Sequence, residues 1–179
     1  MTLTLWRSVR RAHAAHAFTG EGAAQFPGRY NAAGVRAVYL ADCAAGCGLE
    51  IVASYAAPEA IATHVLFEVG VDAQLVDLRL PQALKHYNVS VAALVATDDY
   101  TAPRRVGAQL LGERRAGAIV PAATVARAFN VVVYPDVWDG FRVRGSQPLA
   151  LDNRLLRLLT GPPTSDQPAD TLTRPRARA

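Results

Sequence analysis

Short stretches in which apolar and polar residues alternate recur along the chain, and they constrain its fold more than any other feature. A period of two residues is typical of strands that bury one face. Glycine- and proline-containing turn signals separate these stretches. Alternation predicts strands at residues 3–7, Val35–Leu40 and Thr63–Val69. Residues 117–121 are predicted to be a short buried strand, 129–135 and 140–145 complete the sheet, and Leu75–Leu78 is a further candidate. Such a chain is expected to form a sheet at its core.

Helical patterns are fewer than strand patterns. Asp42 is a candidate N-cap for a helix that Pro58 ends, and a second helix is predicted over Pro103–Leu111. Residues 82–95 are ambiguous, and Asn153–Leu159 is predicted to form a short basic helix. Strands and helices mixed along one chain predict an α+β fold.

The length and composition favour one compact domain. The chain has 179 residues, of which 51% are hydrophobic, so a core forms without disulfides or metal. Residues 161–179 lack apolar periodicity and are predicted to be a disordered C-terminal tail, which leaves residues 1–160 as the domain. No apolar run approaches the roughly 20 residues of a spanning helix. We therefore expect a soluble cytoplasmic protein with no membrane partner.

The positive charge does not by itself indicate nucleic-acid binding. The formal net charge is +4, and 18 of the 19 cationic side chains are arginines, with Lys85 as the exception. The arginine pairs at 10–11, 104–105 and 114–115 are scattered among acidic and apolar residues. We interpret most of them as solvated surface groups and expect direct nucleic-acid binding to be absent.

Metal or redox chemistry is also not indicated. Cys43 and Cys47 are four residues apart on the predicted helix, and we interpret them as two small buried thiols. His13 and His16 are three residues apart, but no third ligand accompanies them. No metal cofactor is expected.

Glu50 is the residue that most suggests chemistry. It is the only charged side chain between Cys43 and Pro58, in a segment of Ala, Gly, Cys, Leu, Ile and Val. Arg29 precedes it in a glycine-rich loop, and Tyr39 stands near the end of a predicted strand. A cation, an aromatic ring and an isolated carboxylate are suited to a phosphorylated, ring-bearing ligand. Taken singly, Arg29 and Tyr39 also fit ordinary structural roles.

Several longer motifs together resemble the RES domain family. They are LWR at 5–7, TGEGAAQFPGRYNAAG at 19–34, VYLAD at 38–42, Glu50, GAIVPAA from 117, and FNVVVYP at 129–135. The resemblance spans roughly residues 3–136 in matching order. It implies an ADP-ribosyltransferase-like fold, a mixed sheet with flanking helices. It also implies a toxin of a type II toxin–antitoxin pair that consumes NAD, with a helix-turn-helix antitoxin covering the active-site cleft.

The resemblance also implies roles for individual residues. Arg7 and Arg29 match arginines of the family's NAD site, Tyr39 matches the tyrosine that follows, and Glu50 matches the glutamate. Glu50, Tyr39 and Arg29 are thus predicted to be catalytic. Arg7, Arg29, Tyr39 and Asn130 are predicted to bind NAD.

Two further positions in these motifs carry expectations. The family serine falls where this chain has Ala122, so a hydroxyl contact is missing there, and Thr124 is close in sequence. Asn31 is predicted to cap the turn of the loop.

The acceptor of the ADP-ribose group stays open. Phosphate or water would make the protein an NAD-depleting enzyme, whereas a host protein acceptor would make it a mono-ADP-ribosyltransferase. A non-catalytic binding module is the third possibility, and the arginine pairs are its only support. Sequence does not separate the first two, because the loops around the cleft determine the acceptor.

Overall fold

A computed structural model describes residues 2–54, 61 and 63–152. The predicted helix at Asn153–Leu159, the predicted tail at 161–179 and the helix end at Pro58 lie outside these residues. Within them, no helix is long and apolar enough to cross a membrane.

A seven-stranded mixed sheet forms the centre of the molecule. Its strands are β1 (Leu3–Arg10), β2 (Val38–Ala41), β3 (His64–Val71), β4 (Val76–Asp77), β5 (Gly117–Pro121), β6 (Phe129–Val133) and β7 (Arg142–Pro148). Their order across the sheet is β4-β5-β6-β2-β1-β3-β7. The β4–β5 pair is parallel, and the other pairs are antiparallel. The short strand β2 therefore lies in the middle, between β6 and β1.

Five α-helices and one 3₁₀ helix accompany the sheet in the described part of the chain. They are the 3₁₀ helix Arg11–His16, α1 (Glu21–Gln25), α2 (Ala44–Ser54), α3 (Pro81–His86), α4 (Val91–Val95) and α5 (Thr101–Gly112). The α+β prediction is confirmed. The ambiguous residues 82–95 form two helices of six and five residues, which are too short to show a clear helical period.

Alternation along β2 divides its residues between the two faces of the sheet. Val38 and Leu40 pack into an apolar cluster on one face, whereas Tyr39 and Ala41 lie on the other. Asn130 of β6 is the registered partner of Ala41 and therefore shares the second face.

Helices cover this second face in two separate groups. Helices α3, α4 and α5 pack over β5 and β6, where Leu94, Val106 and Leu110 are fully buried. Helix α2 packs over β1, β2 and β3 through Cys47 and Ile51. The strand β2 lies at the junction, because Tyr39 packs against the first group and Ala41 against the second. This junction positions the candidate site.

The second predicted strand is shorter than expected. It begins at Val38 and not at Val35, because the Val35 backbone takes part in the preceding loop. The Val35 amide donates to Ala32 O at 3.2 Å, and the Asn31 side chain donates to Val35 O at 3.0 Å.

The expectation that Asp42 caps α2 is wrong. Its Oδ2 accepts from the Phe129 amide at 3.3 Å, while the Asp42 amide donates to Phe129 O at 3.1 Å. Asp42 therefore continues the β2–β6 pairing. The Gly46 amide instead donates to Cys43 Sγ at 3.2 Å, so a thiol caps the first turn. Cys43 is accordingly exposed, which corrects the prediction of two buried thiols, and Cys47 is buried as expected.

Candidate active site

Asn31 fixes the glycine-rich loop that carries Arg29. The Asn31 side chain is buried, and its Oδ1 accepts from the Gly28 amide at 2.9 Å. Its Nδ2 donates to three backbone carbonyls of the same loop, at Ala23, Ala32 and Val35. The predicted turn-capping role of Asn31 is confirmed.

Tyr39 reaches the same loop from β2. Its hydroxyl donates to Asn31 Oδ1 at 2.8 Å and accepts from the Tyr30 amide at 2.9 Å. A Cβ at Gly28 would lie 2.9 Å from Tyr39 Cζ, so the glycine allows the loop to lie against the ring. Burial raises the pKa of the Tyr39 hydroxyl, and the nearby guanidiniums of Arg104 and Arg29 offset only part of this effect. The hydroxyl stays protonated and holds the loop.

Helix α5 approaches the loop closely from the other side. A Cβ at Gly107 would overlap the Tyr30 carbonyl oxygen, so only glycine permits this approach. The same carbonyl accepts a hydrogen bond from the Tyr134 hydroxyl at 2.9 Å. The loop is thus held between β2, α5 and the residue that follows β6.

Arg29 is half-buried and belongs to a cationic–aromatic cluster. Its Nη1 donates to Leu94 O at 3.3 Å and, by a short hydrogen bond, to Ala96 O. Its guanidinium carbon lies 4.4 Å from the centroid of the Tyr100 ring, and that of the exposed Arg104 lies 5.6 Å from it. Within the described residues, Arg29 Nε and Nη2 have no hydrogen-bond partner. In the described part of the chain, two guanidiniums that both keep unbonded N–H donors thus meet at one aromatic ring.

Arg7 connects β1 to β2 and to the segment before the loop. Its Nε donates to Ala17 O at 2.5 Å, and its Nη1 donates to Tyr39 O at 2.7 Å. Burial lowers the pKa of Arg7 to about 10, which leaves the side chain charged at neutral pH. Burial raises the pKa of the neighbouring Cys47 thiol to about 12, so this thiol is neutral and not a nucleophile.

Glu50 projects from α2 toward β6 and is half-buried. Its Oε1 accepts from Asn130 Nδ2 at 2.7 Å and from Thr124 Oγ1 at 2.9 Å. Both partners are neutral, and Asn130 is held in the sheet opposite Ala41. The carboxylate is thus fixed by hydrogen bonds without a cation bound to it within the described residues.

Of the predicted residues, Tyr39, Asn130 and Glu50 lie on one face of the sheet. Arg7 alternates with Trp6 along β1 and shares the parity of Leu5, which packs on the opposite face. Tyr39 and Asn130 are diagonal neighbours across the β2–β6 pair. The Cα atoms of such diagonal pairs are typically about 7–8 Å apart. Glu50 bonds Asn130 on one side, and the loop with Arg29 is fixed to Tyr39 on the other. Arg7 is engaged between the strands. The structure therefore places a carboxylate and a guanidinium cluster on either side of Tyr39.

Sequence reasoning missed Arg104 and Tyr100. Arg104 and Arg105 are both exposed, as expected for solvated surface groups, and Arg104 Nε also donates to Gly28 O at 3.4 Å. An arginine at the start of a helix that follows a tyrosine carries no motif, so no local signal was available. The exposed His13 and His16 lie on the 3₁₀ helix, and no group of three or more potential metal ligands occurs in the described part of the chain.

A family model for the RES domain matches residues 4–153. The chain belongs to the RES domain family. This RES domain is similar in structure to a chain of the M. tuberculosis MbcT–MbcA toxin–antitoxin complex, with a TM-score of 0.70 and 27% sequence identity. The alignment covers 89% of this chain and 90% of that chain. Among curated protein sequences, none matches this chain significantly.

Proposed function

We propose that this RES domain is the toxin of a toxin–antitoxin pair and that it cleaves NAD at the nicotinamide–ribose bond. ADP-ribose would pass to phosphate or water, which depletes NAD in the cytoplasm. Family membership and the similarity to a chain of a toxin–antitoxin complex support the toxin role. The observation that carries the NAD chemistry is the carboxylate of Glu50 on the same sheet face as the Arg29 cluster.

The chemistry needs a fixed negative charge at the ribose. When the bond between ribose C1′ and the nicotinamide nitrogen breaks, its electron pair leaves with neutral nicotinamide. Positive charge then develops on the ribose ring, as at other glycosidic centres. A preorganised carboxylate stabilises that charge more than it stabilises bound NAD. Glu50 meets this requirement because two neutral donors hold it without neutralising it.

The other half of the ligand requires cations. Guanidinium groups bind phosphate oxygens through paired N–H donors. Arg29 and Arg104, which both lie near the Tyr100 ring, are the proposed pyrophosphate site. Tyr39 would lie under the ligand, between Glu50 at the ribose and the two arginines at the pyrophosphate. Arg7 remains a predicted NAD contact, through the Nη2 that has no partner within the described residues.

Labelled NAD tests the proposal and its alternatives. Purified protein is incubated with NAD labelled in the adenylate part, with and without phosphate and with and without cell lysate. Free nicotinamide with soluble ADP-ribose, or its phosphate ester, is the expected result. Label on a protein band would favour a host protein acceptor. Intact NAD in every sample would exclude catalysis and leave a binding module.

A helix-turn-helix antitoxin is the proposed partner, and it would cover the candidate site. Hydrogen exchange of the toxin with and without the co-encoded neighbour should show protection at residues 19–50, which include the loop and Glu50. Removal of residues 161–179 should not change the inhibition. An interface that leaves residues 19–50 unprotected would contradict this arrangement.

A further inference from the structure

The two carboxylate oxygens of Glu50 have different surroundings. Both hydrogen bonds, from Asn130 and from Thr124, end on Oε1 at 2.7 and 2.9 Å. Within the described residues, Oε2 accepts no hydrogen bond. Two donors on one oxygen restrict rotation of the carboxylate plane, whereas a single donor would leave it freer. The arrangement selects Oε2 as the atom available to a ligand.

Thr124 is presented by an ordered connection between β5 and β6. The Ala122 amide donates to Ala128 O at 3.0 Å, and the Ala128 amide donates to Val125 O at 3.3 Å. These backbone bonds close the connection around Thr124, whose side chain is exposed. The hydroxyl is therefore positioned by the fold before any ligand binds, and little ordering remains for the reaction.

Ala122, two residues earlier, contributes no hydrogen-bond donor from its side chain. Its methyl group is buried, with 8% of the residue exposed. The family motif that this chain resembles has a serine there. The Thr124 hydroxyl, two residues further along the chain, reaches Glu50 directly.

We infer that Thr124 is a positioning residue. With Asn130 it holds Glu50 Oε1, so that Oε2 faces the ribose of NAD. This inference rests on the proposed function. Loss of the Thr124 hydroxyl leaves Asn130 as the only donor to Glu50 among the described residues, and the carboxylate then spends less time in the productive orientation. Because Thr124 acts through Glu50, its loss lowers kcat and leaves KM nearly unchanged.

The kinetic test compares three variants. Thr124→Val removes the hydroxyl and keeps the shape of the side chain, and we expect kcat to fall about 10- to 100-fold. Thr124→Ser keeps the hydroxyl and should restore most of the rate. Thr4→Val is the matched control, because the Thr4 hydroxyl accepts from Arg144 at 2.7 Å on β1. Its kcat should equal that of the unsubstituted protein.

A second measurement does not depend on activity. A double-mutant cycle with Thr124→Val and Glu50→Ala, followed by chemical denaturation, measures the coupling between the two side chains. We expect a coupling of about three- to tenfold in the unfolding equilibrium constant. Both single variants should fold, because Thr124 is exposed and alanine favours the helix at position 50.

The two measurements separate the inference from the proposed function. Coupling together with a serine-rescued loss of kcat supports the positioning role. Absence of coupling would overturn it, and so would a Thr124→Val protein with unchanged kcat. Coupling in a protein that does not cleave NAD would refute the proposed function but would still support the hydrogen bond from Thr124 to Glu50.

Discussion

Arg104 differs from Arg29 in how much of its guanidinium the fold already uses. Arg29 is bound to the carbonyls of Leu94 and Ala96, so its loss would disturb the structure as well as ligand binding. Arg104 is exposed and, among the residues that the structure describes, makes a single long hydrogen bond, to Gly28 O at 3.4 Å. At the scale of single residues, Arg104 is therefore the cleaner probe of the pyrophosphate site.

We predict that Arg104→Ala weakens NAD binding about tenfold and leaves stability unchanged. The reason is the loss of one charge-assisted contact, which is worth roughly 1.5–3 kcal/mol when fully made. Calorimetry measures the affinity for NAD. Both the reference protein and the Arg104 variant carry Glu50→Gln, so that NAD is not consumed during the titration. Arg142→Ala, at a distant sheet edge, is the control. Equal affinity for the two arginine variants would remove Arg104 from the site.

Helix α5 and the loop at 28–31 meet at Gly107, and this contact belongs to the scale of elements. A methyl group there would overlap the backbone oxygen of Tyr30, and that oxygen is also held by Tyr134. The helix would have to move away from the loop. Because the same loop carries Arg29, the contact couples helix packing to the candidate site.

We predict that Gly107→Ala lowers the free energy of unfolding by about 1–3 kcal/mol, which is typical of overpacking. Gly112→Ala, in the same helix, is the matched control, since nothing lies within 4 Å of its added Cβ. That control should be neutral or stabilising by up to about 1 kcal/mol. Chemical denaturation of both variants decides the matter. Similar stabilities would show that the helix adjusts without cost.

The elements were predictable where one face of a strand is buried. The short apolar run at 117–121 indicated β5 at its observed bounds, and Ala118 and Val120 are indeed buried. Residues 142–148 were only partly recognised, since every residue of β7 is exposed and no apolar period extends to Pro148.

The site was less visible in the sequence than the sheet. Glu50 stood out as a charge in an apolar segment, but its partners Thr124 and Asn130 are 74 and 80 residues away. Their approach depends on the β2–β6 register, which local patterns do not encode. The same holds for Arg29, whose carbonyl partner Leu94 is 65 residues distant.

The stability of the whole molecule should depend on pH through Glu113. His86 Nε2 lies 3.0 Å from Glu113 Oε1, and Tyr87 donates to Oε2 at 2.9 Å. Gln109 and Arg115 also donate to this carboxylate. These contacts, the one with His86 foremost, lower the pKa of Glu113 to about 2. They connect the end of α3 to the end of α5.

We predict that acid destabilises the protein partly through this group. Since the pKa of Glu113 is lower in the folded state, its contribution is full above about pH 4.5 and disappears as the pH falls toward 2. In the Glu113→Gln variant, the free energy of unfolding should therefore depend less on pH between about 4.5 and 2. Glu21→Gln, at an exposed position, is the control. Parallel pH curves for the Glu113 variant and the unsubstituted protein would contradict the assignment.

The central claim is tested most directly by comparing the rate of nicotinamide release from NAD in the Glu50→Gln variant and in the unsubstituted protein. The amide keeps an oxygen that accepts from Thr124 and Asn130, so the fold should stay intact while the charge is lost. We predict a fall in turnover of about 100-fold or more. Glu68→Gln, on β3, should keep normal turnover and serves as the control. Near-normal nicotinamide release by a folded Glu50→Gln protein would contradict the account.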